Sequence, residues 1–136
     1  MKTLQLNESQ RTEFGYLGHD IDQSDLHCKK VPEQIRDEIP TMNRMGYMKI
    51  DLDEFSQEFI DYSSVSNNLV LELGCAYGFV VQKVLEAGGK IIASDLSREH
   101  LTVLLKNTPK QLLKNLYILP GSFPHEINFP KESLSA

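Results

Sequence analysis

The chain has 136 residues, 40% of them hydrophobic and 24% charged, which fits one globular domain and excludes wholesale disorder. No apolar run reaches the roughly 18 residues of a membrane helix, and the polar start Met1–Glu8 has no secretory pattern. The formal net charge of −5 arises in residues 1–66, with 13 acidic and 7 basic side chains against 6 and 7 in residues 67–136, so no basic face for nucleic acid is evident.

Two cysteines, Cys28 and Cys75, make no disulfide framework. Both are expected to be free thiols, in the cytoplasm. Residues 1–30 are polar and weakly patterned and read as a loosely ordered arm. Pro32–Ile39 predicts a short helix, with Ile35 and Ile39 on one face and Pro40 as its stop. A second helix is predicted from Asp51, with Asp51 as N-cap and Glu54 as capping-box partner. Leu52, Phe55, Phe59 and Tyr62 form its apolar stripe, either to cover a sheet or to fold over a ligand as a lid. Ser63–Asn67 reads as a loop, and the chain divides near residue 66.

The second part, residues 67–136, has a different pattern. Leu69–Leu73 is a short, nearly continuous apolar run, as in a strand buried on both faces. Gly74-Cys75-Ala76-Tyr77-Gly78 is a tight turn. Phe79–Ala87 reads as a helix with Phe79, Val80, Lys83, Val84 and Ala87 on one side, and Gly88-Gly89 ends it. Lys90–Ser94 is a second strand that runs into Asp95. Ser97 caps a further helix that buries Leu101, Leu104 and Leu105, and Leu116–Leu119 is a third strand. This order is a βαβαβ unit, so the fold class is α/β with a parallel sheet and right-handed crossovers.

Two features fall at the carboxyl ends of strands, where ligands bind in such sheets. The glycine turn lets backbone approach a ligand, and Asp95 lies 21 positions after Gly74, the spacing of a ribose-binding acid. A carboxylate accepts two hydrogen bonds from a ribose diol. Taken alone, Asp95 is better read as a cap for the following helix, and it is the combination with the glycine turn that favours a ligand. The turn lacks the Gly-x-Gly-x-x-Gly pattern, which argues against an NAD(P)-dependent oxidoreductase.

Leu69-Val70-Leu71-Glu72-Leu73-Gly74-Cys75-Ala76-Tyr77-Gly78 resembles motif I of the class I S-adenosylmethionine-dependent methyltransferases, a Rossmann-like family. The likeness covers about residues 50–136. It implies that Glu72 helps to anchor the methionine end of S-adenosylmethionine, and that Gly74, Cys75, Ala76 and Gly78 form the loop that makes room for it. It also implies that Asp95 holds the ribose, with Leu96 beside the adenine. The likeness extends to Gly121-Ser122-Phe123-Pro124. There Ser122 replaces an aspartate that bonds the adenine amino group, so recognition falls to the backbone around Ser122 and Phe123. Ala76 stands where glycine is commoner.

The resemblance also implies a longer fold, so this chain is expected to be the front half of one, ending before strand four. Strand one would then be a bare apolar edge through which two copies could pair. No catalytic residue is assigned, because the family's catalytic groups come from later strands, and the methyl acceptor is unknown. A non-catalytic binding or interaction domain is the alternative. His19, His27 and Cys28 lack metal-ligand spacing, so no metal is expected. His100 is expected on a helix surface and His125 in a loop. Cys75 near a helix start is read as a small loop residue rather than a nucleophile.

Overall fold

The computed structural model describes residues 30–65, 69–125, 129 and 134. Where a helix is predicted at Pro32–Ile39, the chain instead forms a turn and a β-hairpin. Arg36 takes a left-handed φ of 56°, and Ile35 and Glu38 exchange backbone hydrogen bonds of 2.8 and 3.1 Å across it. Strand β1, Glu38–Pro40, then pairs antiparallel with β2, Tyr47–Lys49, in the register Ile39↔Met48. The eight residues Pro32–Ile39, stopped by Pro40, are too few to hold a helix unaided, and strand pairing replaces it. The Thr41 hydroxyl closes the hairpin, accepting from the Gly46 N–H and donating to the Gly46 carbonyl.

Helix α1 spans Glu54–Val65, so Ser63, Ser64 and Val65 of the loop expected at Ser63–Asn67 are helical, and its remaining residues lie outside the described ones. Its cap is Asp53, not Asp51. Asp53 Oδ1 accepts the Ser56 N–H at 2.7 Å, a bond that holds the Asp53 carboxyl below its ordinary pKa. The expected stripe is also rotated. Phe55 and Tyr62 are exposed, and the buried face runs through Phe59, Ile60 and Ser63. Ser63 fits because its hydroxyl donates to the Ile60 carbonyl and it meets Gly89, where a Cβ would come within 2.8 Å of the Ser63 oxygen.

From residue 69 the elements follow the expected order. They are β3 (Leu69–Leu73), α2 (Phe79–Glu86), β4 (Lys90–Asp95), α3 (Arg98–Asn107), a 3₁₀ turn (Lys110–Asn115) and β5 (Leu116–Pro120). The three strands form a parallel sheet in the order β3-β4-β5, with Val70↔Ile91 and Ile91↔Leu116 in register. Strand alternation divides the core in two. Val70, Ile91, Ala93, Leu116 and Ile118 face the helices, which contribute Ile60, Val81, Val84, Leu101 and Leu104. Leu69, Ile92 and Leu119 face the other way, with Leu71, Tyr117, Phe129 and Leu134 packed on them. The buried face of α2 is Val81, Val84 and Leu85, about one residue around from the expected side, and Ala87 is exposed. Among the described residues, no helix is long and apolar enough to cross a membrane.

Candidate functional site

The parallel sheet brings the end of β3, the glycine loop and the end of β4 to one edge. The β1–β2 hairpin lies against that edge, and a cleft of about 390 Å³ separates the two, within the range of small-ligand sites. Glu72, Gly74, Cys75, Ala76 and Asp95 all line it. Gly78, Leu96, Ser122 and Phe123 do not. Leu96 and Phe123 stand exposed after the ends of β4 and β5, and with the exposed Leu73 they leave a large apolar side chain at each of three strand ends.

The two glycines of the loop have different tasks. Both have positive φ, 70° at Gly74 and 79° at Gly78. A Cβ on Gly74 would meet nothing within 4 Å, whereas one on Gly78 would lie 2.4 Å from Leu104 Cδ1 in the core. Gly78 therefore fits α2 against α3, and Gly74 borders the cleft. Gly74→Ala should cost about 1 kcal/mol, the left-handed penalty alone, and Gly78→Ala about 2 kcal/mol because overpacking adds to it. Urea denaturation of the two variants checks this ranking.

Asp95 is buried, and its own chain already surrounds it. Oδ2 accepts the Ala76 N–H at 2.8 Å. Oδ1 accepts the Ser97 N–H at 2.7 Å and lies 3.1 Å from His100 Nδ1. Burial alone would raise its pKa, but the hydrogen bonds from His100, Ser97 and Ala76 outweigh that and leave it below its ordinary value. The carboxylate thus holds Ala76 in its left-handed φ of 48°, where Ala76 has the steric penalty that glycine would avoid. The loop's donors are largely consumed in this way, since the Cys75 N–H bonds the Ser94 carbonyl and the Gly78 N–H bonds the Cys75 carbonyl.

Glu72 is the opposite case. Its Oε2 is buried with no hydrogen-bond partner among the described residues. Burial pushes its pKa up to about 7, opposed by the Val81 amide and assisted by the Asp95 charge. An orphaned carboxyl oxygen in a cleft is the kind of buried polar atom that a ligand donor can satisfy. Asp51 and Asp53 add acidic charge across the cleft, and Lys49 is the cation among its lining residues. The Cys75 thiol is free and buried, and burial raises its pKa well above the ordinary value, which removes the thiolate a nucleophile requires.

His100 lies in the core, 1% exposed, not on the helix surface where the sequence placed it. Its Nε2 accepts the Met42 N–H at 3.1 Å, and its ring meets Tyr77 edge-on at 5.0 Å. The Tyr77 hydroxyl donates to the Pro40 carbonyl at 2.8 Å. Residues of the strand ends and of the hairpin are thereby joined. A usable signal was in the sequence: Ser97 as N-cap puts His100 three residues into the first turn, pointing back at Asp95. His125 falls in an exposed turn, and Cys28, His19 and His27 lie outside the described residues. Among the described residues, no three His, Cys, Asp or Glu side chains gather as metal ligands.

No family model matches the chain, and no curated protein does. Among solved structures it is similar to the crystal structure of the glycopeptide N-methyltransferase MtfA complexed with sinefungin, at 25% identity and a TM-score of 0.44. That likeness covers 51% of this chain and 29% of the other, so the chain matches less than a third of that protein's length. The α/β assignment rests on the strand pairings themselves.

Proposed function

We propose that this chain is the cofactor-binding portion of an S-adenosylmethionine-dependent methyltransferase. The observation that carries the reading is the buried, unpartnered Oε2 of Glu72 in a cleft that also holds the Gly74–Ala76 loop and Asp95. These residues fit the cofactor's parts. Glu72 offers an acceptor for a cationic amino group, Gly74 leaves open space beside it, and Asp95 keeps an acceptor position on Oδ2 for a ribose hydroxyl. Leu96 and Phe123, exposed beyond the strand ends, offer apolar surface for a purine. The cofactor would supply an electrophilic methyl group, and the chain's contribution is to position it in a cleft whose acidic lining favours positive charge.

Asp95 supports a second reading, a domain that no longer binds cofactor, because its carboxylate already serves the fold. Calorimetric titration with S-adenosylhomocysteine, with NAD as control, separates the two. Saturable binding of S-adenosylhomocysteine alone is the expected result. Binding of neither leaves the second reading, and binding of NAD alone refutes both.

A further inference from the structure

We propose that His100 is a positioning residue that couples nucleoside capture at Asp95 to the placement of the β1–β2 hairpin, an inference that rests on the cleft being a nucleoside site. The partners of the imidazole assign its tautomer. Met42 N–H is obligatorily a donor, so Nε2 carries no proton, and Nδ1–H donates to the ionised Asp95. The ring therefore bridges two elements that are remote in sequence.

The acceptor capacity of Asp95 gives this bridge a consequence. A carboxylate has about four acceptor sites. The Ser97 N–H and His100 Nδ1–H use Oδ1, and the Ala76 N–H uses one position on Oδ2. One position remains, on Oδ2. A single ligand hydroxyl can enter there with the clasp intact. A vicinal diol that engages both oxygens must displace a donor from Oδ1. The Ser97 N–H belongs to the chain entering α3, whose cap is fixed by the Ser97 hydroxyl, whereas His100 can turn away about its own side-chain torsions. When His100 leaves, the Met42 N–H loses its bond to the imidazole and keeps only the Tyr77 hydroxyl, which also ties Pro40. Capture of a diol and full closure of the hairpin therefore oppose one another, and His100 sets the balance.

The test is hydrogen exchange at the Met42 amide of the full chain, in wild type and in His100→Phe, alone and with adenosine as the probe. Phenylalanine keeps a ring against Tyr77 and removes both hydrogen bonds. Without ligand, the variant should exchange Met42 about tenfold faster, the loss of one hydrogen bond's protection, while Ala76 stays protected by Asp95. Saturating adenosine should speed Met42 exchange in wild type, which needs no variant to fold. His100→Phe should bind adenosine more tightly than wild type does, with 2′,3′-dideoxyadenosine bound alike by both. Unchanged Met42 exchange in unliganded His100→Phe overturns the clasp irrespective of any ligand. Adenosine bound to wild type with Met42 still protected overturns the coupling and leaves the nucleoside reading intact. Adenosine bound by neither chain overturns the nucleoside reading and the coupling with it, and the unliganded comparison still decides the clasp.

Discussion

Asp95→Ala is expected to lower the unfolding free energy by about 3–5 kcal/mol, several times the loss of an ordinary helix cap. Three donors lose their acceptor together: the Ala76 N–H in the glycine loop, the Ser97 N–H at the start of α3, and His100 Nδ1–H. Ala76, His100 and Asp95 itself are buried, so water does not replace the lost bonds, and each unsatisfied group contributes about 1–3 kcal/mol. Ala76 would also lose the bond that holds its positive φ. Asp95→Asn should cost about half as much, because the amide oxygen keeps one face of the network while the NH₂ opposes the other. Urea denaturation at pH 7 measures both. A loss under about 1 kcal/mol for Asp95→Ala would show that the network does not hold the loop. A loss of stability does not by itself tell a helix cap from a ligand-binding acid. With Asp95 at the centre of the loop, stability falls under either reading, and the ligand titration has to separate them.

The half of the fold that was legible is the half in which local signals agree with tertiary packing. Leu69–Leu73 and Lys90–Ser94 are apolar runs bounded by glycine and by acid, and a parallel sheet buried on both faces calls for such runs. Gly88 takes φ 86° at the end of α2, and Ser97 caps α3, as their residue types require. The hairpin was not legible because its stability comes from pairing Ile39 with Met48 across a turn, and from Tyr77 and His100, which stand 37 and 58 positions from their partners Pro40 and Met42. Helical spacing of Ile35 and Ile39 points the other way. On α1 the stripe of large apolar residues was the visible signal, yet the inward face includes Ser63, chosen for its size against Gly89. At the cleft, Gly74 and Asp95 were legible from spacing, since strand ends in a parallel sheet gather without further information, and Glu72 only from the resemblance to motif I. His100 was missed because helical patterning alone does not say which face a histidine takes; the signal lay in the Ser97 cap, which sets His100 in the first turn beside Asp95.

Glu72 should give the protein a stability that falls as pH rises from about 4.5 to about 7. Its ordinary pKa of 4.5 is raised to about 7 in the folded chain. In that window the folded state binds more protons than the unfolded state, so unfolding free energy declines with pH. The full shift corresponds to about 3–4 kcal/mol, since each unit is worth about 1.4 kcal/mol. Asp95 has the opposite sign: its lowered pKa gives stability that is present above the unfolded value and lost as acid protonates it. Between pH 5 and 8 only the Glu72 trend should be seen from this pair. Glu72→Gln preserves shape and removes the ionisation, so the variant should be more stable than wild type at pH 8 and its profile flat across the window. Denaturation at pH 5 and pH 8 for both chains decides it, and a wild-type profile as flat as the variant's would mean that Glu72 does not resist ionisation. The same charge links stability to binding. A cationic group placed against Oε2 favours the ionised form, so Glu72 should release a proton on binding and affinity should rise from pH 6 to pH 8. Glu72→Gln should lose both the proton release and the pH dependence, whereas a ligand without positive charge should bind the two chains with no such difference.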